Sequence, residues 1–229
     1  MTKLRYIFIF TLIAVFLSAC STTKFLAPGQ KLYDGGVVKI DDKAIKKSDR
    51  KALKTELEAL LRPKPNTKIL GLRYKLWIYD KTQTKKVRGL RHYINTHLGE
   101  PPVLVSSVDL VKNSTILQNR LQNDGYFVAQ VNGDTVSKNK IAKAIYTAKI
   151  GPAYHYRNIT FPQGKTDLDT AVAGTAKQSF LKVGDKYNLD IIKAERIRID
   201  AKLKEEGFYY FSAEDLIMKY DSSSAGDHQ

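Results

Sequence analysis

One pattern occurs twice in this chain and restricts its folding more than any other feature. Leu98-Gly99-Glu100 leads through a polar turn to a helix-like stretch ending Leu121-Gln122-Asn123-Asp124-Gly125-Tyr126-Phe127. Val183-Gly184-Asp185 leads to another, ending Leu203-Lys204-Glu205-Glu206-Gly207-Phe208-Tyr209. Both run glycine-acid, helix, L-x-x-x-G-aromatic-aromatic, and a repeat of this kind means two copies of one supersecondary unit. In the first copy Asn113 or Ser114 suits the N-cap, Ile116, Leu117 and Leu121 share a helical face, and Gly125 stands where a C-cap needs positive φ. In the second, Asn188 caps and Ile192, Ala194, Ile199 and Leu203 form the stripe. Lys202 and Lys204 suit its negative end, and Gly207 closes it.

A strand is predicted after each glycine. Phe127, Ala129 and Val131 alternate with Val128 and Gln130, and Phe208 to Phe211 is rich in aromatics. Val131-Asn132-Gly133-Asp134 supplies turn residues, and Ala142, Ala144, Tyr146, Ala148 and Ile150 then alternate with Lys143, Ile145, Thr147 and Lys149, which predicts a hairpin. Gly151-Pro152 breaks the chain. Tyr154 to Phe161 begins a new strand whose phase slips near Asn158, and a helix follows with Leu168, Val172, Ala176, Phe180 and Leu181 on one face and Asp167 as cap. Strand, helix, helix, strand, strand is the resulting order.

The front of the chain has a different character. Lys3 and Arg5 precede an apolar run from Tyr6 to Leu17, too short to span a bilayer, followed by Ser18 and Ala19. Leu17-Ser18-Ala19-Cys20 resembles the lipobox of bacterial lipoproteins, so residues 1–19 read as a signal peptide and Cys20 as the lipidation site. Cys20 is the only cysteine, which excludes an internal disulfide and leaves an exported chain with a thiol that lipidation explains. Ser21 is not the aspartate that resembles an inner-membrane retention signal, so the expected location is the periplasmic leaflet of the outer membrane, with the domains in the periplasm.

The element order and several short motifs resemble the POTRA domains of the BamA/TamA superfamily of outer-membrane assembly proteins, most closely the lipidated TamA-like proteins of the Bacteroidetes. The residues that carry it are Lys24-Phe25-Leu26 behind the lipobox, Leu61-Arg62-Pro63-Lys64-Pro65-Asn66, Leu76-Trp77-Ile78-Tyr79, Gly99-Glu100-Pro101-Pro102, Gly125-Tyr126-Phe127, Gly151 with Tyr154, and Glu195-Arg196-Ile197-Arg198. The resemblance implies an α+β fold of two tandem POTRA-like β-α-α-β-β domains. A lipidated linker, 20–29, leads to domain 1 at 30–150, with a long insertion at 63–98. Domain 2, 151–221, is expected to lack its last strand, and 222–229 reads as a tail or linker.

Within domain 1 the first strand is expected near Gly36 to Asp41, and a helix from Ser48 to Arg62 with Leu53, Leu57, Leu60 and Leu61 on one face. Leu70 to Tyr79 fits both period two and a helix. Another helix is expected over Val87, Leu90, Ile94 and Leu98, closed by Gly99, and Trp77 reads by default as a core residue. Family members continue into a membrane barrel that this chain lacks, so a fragment or truncated copy with an association-prone sheet edge is expected.

The resemblance implies a binding role. Client outer-membrane proteins, or a periplasm-spanning assembly partner, would add a strand to a sheet edge within the hairpin 126–150 or the strand 154–161, and a proline at Ile145 should abolish it. No individual partner-binding residue stands out. The alternative is a free-standing basic lipoprotein on anionic envelope surfaces, since the formal net charge is +15 and lysines gather at Lys43, Lys46, Lys47, Lys51 and Lys54. A solvated helix face is the plainer account of that group.

Export disfavours nucleic acid as a partner. No enzyme is expected: HExxH, G-x-S-x-G and a phosphate-binding glycine loop are absent from the sequence. His92 and His97 have the wrong spacing for a helical metal pair, so no metal or cofactor is expected. Asp134-Thr135-Val136 and Asp169-Thr170-Ala171 resemble Bacteroidetes O-glycosylation sites, with turn and cap roles as the simpler reading.

Overall fold

Residues 23–41 and 45–220 are described by a computed structural model of the chain. Among them lie three strands and six α-helices: β1 (Leu32–Ile40), α1 (Lys47–Leu60), α2 (Tyr74–Thr82), α3 (Leu90–His97), α4 (Leu110–Asn123), β2 (Gln130–Lys138), β3 (Ile141–Lys149), α5 (Asp167–Gly174) and α6 (Leu189–Glu205). The class is α+β, with one small sheet of order β1-β3-β2. Two compact units interleave along the sequence, whereas the motif order suggests a single boundary after 150. The first takes in the chain up to Lys39 with Lys54–Ser114 and Asn132–Thr147; the second takes in Ile40–Leu53, Thr115–Val131 and the chain from Ala148.

In the first unit, Leu32 N–H donates to the Lys140 carbonyl at 2.8 Å, and in the second Asp41 N–H donates to Ala148 at 2.9 Å, so β1 runs parallel to β3. Even-numbered N–H groups face β3 at the start of β1 and odd-numbered ones at its end. The phase change falls around Gly35, whose φ of 104° no ordinary strand residue holds, the mark of a bulge. The Val38 N–H that is thereby turned outward is met by the Glu58 carboxylate at 3.0 Å.

Hairpin β2–β3 turns at Asn139-Lys140, with Asn139 at φ 55°, and not at Val131 to Asp134 as the turn residues predict. Gly133 lies inside β2 because a Cβ there would stand 2.9 Å from the Tyr146 ring and 3.0 Å from Ser114 Oγ. That glycine serves close packing and not a turn. The alternation of β3 is as expected: Ala142, Ala144, Tyr146 and Ala148 are buried.

Helix α1 buries Leu53 and Leu57, and Leu61 just past its end is buried too, while Leu60 is only half-buried. It ends before Pro63, which disfavours helical geometry at Arg62. Its last carbonyls are met by cations: Arg62 and Lys64 both donate to Ala59 O. The ambiguous 70–79 stretch resolves into a turn and then helix. Leu70 and Gly71 both have positive φ between the mutually bonded Ile69 and Leu72, and α2 starts at Tyr74. Leu76 is buried but Trp77 is 41% exposed, so the tryptophan is not the core residue expected. Helix α3 covers Leu90 and Ile94 of the predicted stretch, with Val87 before its start and Leu98 at its C-cap, and it buries no residue.

Both repeat helices close with one main-chain lock. In the first copy Tyr126 N–H donates to Leu121 O and Gly125 N–H to Gln122 O; in the second Phe208 N–H donates to Leu203 O and Gly207 N–H to Lys204 O. With Gly125 at φ 85° and Gly207 at φ 99°, these are Schellman motifs. The starts differ from expectation in part. Asn188 caps α6 through the Asp190 and Ile191 N–H groups, but Asp109 caps α4 at Lys112 N–H, and Thr166 rather than Asp167 caps α5 at Asp169 N–H.

After the second lock the expected strand does not form. Phe208 and Phe211 fold back with Phe161 and Leu216 around Val172, Ile199 and Leu203, and Ser212 then caps a short 3-10 turn at Ala213–Asp215. The strand expected from Tyr154 is a single bridge, His155 against Lys186. A strand after Gly207 without a neighbour would leave its backbone groups to water, and there apolar burial against α5 and α6 competes successfully.

Candidate functional site

The exposed edge is the first feature of interest. Strand β3 is central and β2 lies at one edge of the sheet, with no further strand on its outer side among the described residues. Thr135 N–H is taken by the neighbouring Asp134 carboxylate at 2.6 Å, and residues 134–138 are exposed. An edge of this kind presents unpaired main-chain donors and acceptors to any extended segment. The other edge is partly covered: Tyr33 N–H donates to Val103 O and Val105 N–H to Lys31 O, so segment 103–105 pairs antiparallel with the start of β1.

Buried polar groups hold that edge in place. Asn113, a candidate cap by sequence, lies within α4 and is buried; its amide donates to Arg62 O at 2.6 Å and to Tyr146 Oη at 2.9 Å, while its oxygen accepts from Arg62 N–H. It thus ties the exit from α1 to the central strand. Burial, then the neighbouring Tyr146, push the Tyr33 hydroxyl up to about 12.

The insertion is fastened at its base. Asn66 is buried, donating to Pro101 O at 2.8 Å and accepting Val103 N–H at 2.9 Å, and the Glu100 carboxylate accepts Thr67 N–H. Asp34 on β1 accepts hydrogen bonds from Arg73 and Lys68, with Lys143 at 3.5 Å. Burial works against its charge, but the Lys68 hydrogen bond and the fields of Arg73, Lys68 and Lys143 outweigh it and hold the Asp34 carboxyl below the usual range.

In the second copy Glu195 has no exposed surface, and it takes both Arg198 Nε and a terminal nitrogen, at 2.9 and 2.7 Å, together with Phe180 N–H at 3.0 Å. Burial raises its pKa, but those donors prevail and the net shift is downward. Arg198 also donates to Thr175 O. The Glu195-to-Arg198 motif is therefore an internal brace between α6 and segment 175–180.

Cys20, Lys43 and His228 lie outside the described residues. His92 and His97 are on α3, where His97 stacks on Tyr93 with ring centres 4.2 Å apart, and His155 forms the isolated bridge. Among the described residues no group of three or more His, Cys, Asp or Glu side chains gathers, and no helix is long and apolar enough to cross a membrane. Asp169 accepts the Thr166 hydroxyl and Thr170 bonds back to Thr166 O, so that D-T-A sequence serves a helix start. Sequence reasoning missed Asp34, Arg73 and Asn113. A buried Asn inside a helix has no sequence signature separating it from a cap, and the partners of Asp34 lie far along the chain.

No family model matches this sequence, and no curated protein matches it. Among solved structures, the chain is similar to the POTRA3–5 fragment of Haemophilus influenzae BamA, at 13% identity and a TM-score of 0.27, covering 80% of this chain and 89% of that one. A superposition that loose decides neither fold nor function.

Proposed function

We propose that this chain is the periplasmic POTRA portion of an outer-membrane protein assembly or translocation factor, tethered by a lipid on Cys20, which receives an extended client or partner segment on the outer edge of β2. The observation that carries it is the β1-α-α-β2-β3 course of the first copy with β2 left at the edge. The insertion helices interrupt that course without entering the sheet. Main-chain pairing supplies affinity in this mode, and alternate side chains supply selection. The lipobox Leu17 to Cys20 supports the anchor, and its Ser21 supports the outer membrane as the destination. The reading assigns the chain binding and no catalysis.

A photo-crosslinking residue at Thr135, compared with one at Lys143 on the central strand, tests the edge in cells. Adducts with outer-membrane proteins or a periplasmic partner are expected from 135, and Ser137→Pro, two places along the same edge, should remove them. Equal adducts from both positions would refute edge pairing. The anchor is checked by the mass of the mature N-terminus and by Cys20→Ser, which should release the chain from the membrane fraction.

A further inference from the structure

Helix α3 is built inside out. Its polar side meets α2: Asn95 donates to Tyr79 O and Thr82 Oγ1, Arg91 donates to Lys81 O, and a Cβ on Gly99 would stand 3.0 Å from the Tyr79 backbone. Its apolar side, Leu90, Tyr93 and Leu98, faces solvent, and Leu90 is 76% exposed. Val87 before it, Trp77 on α2 and Leu70 at the turn before α2 are exposed too; Leu70 is 95% exposed and holds a φ of 51° that a leucine rarely adopts. A helix that packs by its polar groups and shows its apolar ones is short of a partner.

The charge says which partner. Between residues 68 and 98 stand eight Lys or Arg against one acidic residue, Asp80. Lys68 and Arg73 are spent on Asp34, but Lys75, Lys85, Lys86 and Arg88 of the same insertion are exposed. Exposed apolar and aromatic side chains in a short segment rich in exposed cations are the composition that lies in the interface of an anionic bilayer. Position along the chain agrees. Leu26 is buried with Leu32 and with Leu76 of α2, and Phe25 packs on the same cluster. Leu26 stands six positions after Cys20, a span of at most about 22 Å.

We propose that the α2–α3 insertion is a second membrane contact, with the outward face of α3 bedded in an anionic phospholipid leaflet and Lys75, Lys85, Lys86 and Arg88 on its headgroups. This extends the lipid-anchored reading and relies on it for the nearness of the leaflet. A two-point attachment would hold the sheet at a fixed attitude to the membrane, which a single lipid on a linker does not.

The test uses the full mature chain from position 20 onward, carrying Cys20→Ser so that no acyl chain contributes. It is mixed with phosphatidylglycerol-rich vesicles and with pure phosphatidylcholine vesicles. Sedimentation with the first and not the second is expected, with a blue shift in the emission of Trp77, the sole tryptophan. Lys85→Gln and Lys86→Gln should each lower partitioning about fivefold, and Leu90→Ser with Tyr93→Ser should abolish the blue shift while circular dichroism stays unchanged. Absence of vesicle binding, or binding indifferent to these substitutions, overturns the proposal and leaves the face to a protein. Acylation of Cys20, measured separately on the natural product, can fail while vesicle binding persists; in that case the anchor is refuted and the insertion contact stands.

Discussion

The two copies of the repeat close their helices identically and then part. After Gly125 the chain runs into β2 and β3, and β3 finds β1 alongside it; after Gly207 it turns at Ala213–Asp215 and buries Phe208 and Phe211 against α5 and α6. Both downstream segments carry strand-forming residues. What differs is the availability of a neighbour, since a helix satisfies its backbone within itself and a strand does not. The helix and its lock are therefore properties of each copy, and the sheet is a property of the first copy's surroundings.

The sharpest way to break the comparison is a proline in the sheet. Ile145→Pro falls on the central strand, where it removes a ladder bond, so it should abolish the cooperative unfolding of the first copy in a thermal melt. It would destroy the fold and not merely the partner edge that the sequence pattern suggests for it. Thr135→Pro, on the edge, should leave the melt nearly intact, because that N–H serves only the neighbouring Asp134 carboxylate and its loss takes no bond from the ladder.

Next come two ion-paired carboxylates, one for each copy. Glu195→Ala strands Arg198 and should cost about 3 to 5 kcal/mol, and Asp34→Ala, at a half-buried residue whose partner Arg73 is buried, about 3 kcal/mol. Hydrogen exchange should place the first loss in α5 and α6 and the second in the insertion. Both carboxyls are held below their ordinary pKa when folded, so their stabilisation is complete above the unfolded carboxylate range and is lost as pH falls through the depressed values. An acid titration of stability should show the loss in each wild-type copy and less of it in the matching variant.

The two locks should respond unequally. Gly207→Ala meets open space and should cost about 1 to 2 kcal/mol for the left-handed backbone alone. Gly125→Ala adds a Cβ 2.9 Å from Tyr187 O and should cost more, by urea denaturation. Equal costs would mean that the Tyr187 backbone yields freely. The caps give the smallest effect: Asp109→Ala and Asn188→Ala should each lose about 1 kcal/mol, and near equality would support equivalent helix starts.

Several features are legible in the residues alone. The L-x-x-x-G-aromatic ending announces both locks, the Asn188 cap lies at the right spacing, and alternation places β3 within a residue. Asn132-Gly133 reads wrongly as a turn because glycine marks both turns and tight packing, and only the Tyr146 ring above Gly133 distinguishes them. The pattern offers the 126–150 hairpin and the 154–161 strand as candidate edges and does not single out β2, since strand order depends on which strand β1 joins. The outward face of α3 is visible as a stripe, yet a stripe does not say whether it points to a core.

Sequence by itself determined the local chemistry: where helices close, where prolines stop them, which positions alternate, and that a lone cysteine follows a signal-like run. Tertiary structure alone decided that β3 is central, that Asn113 serves Tyr146 and Arg62, that Asp34 gathers three distant cations, and that among the described residues no strand follows Gly207. The first group depends on bonds between residues a few places apart, which short spacings encode. The second depends on partners brought together from far along the chain, where solvent, charge and empty space choose among pairings that the sequence leaves equally open.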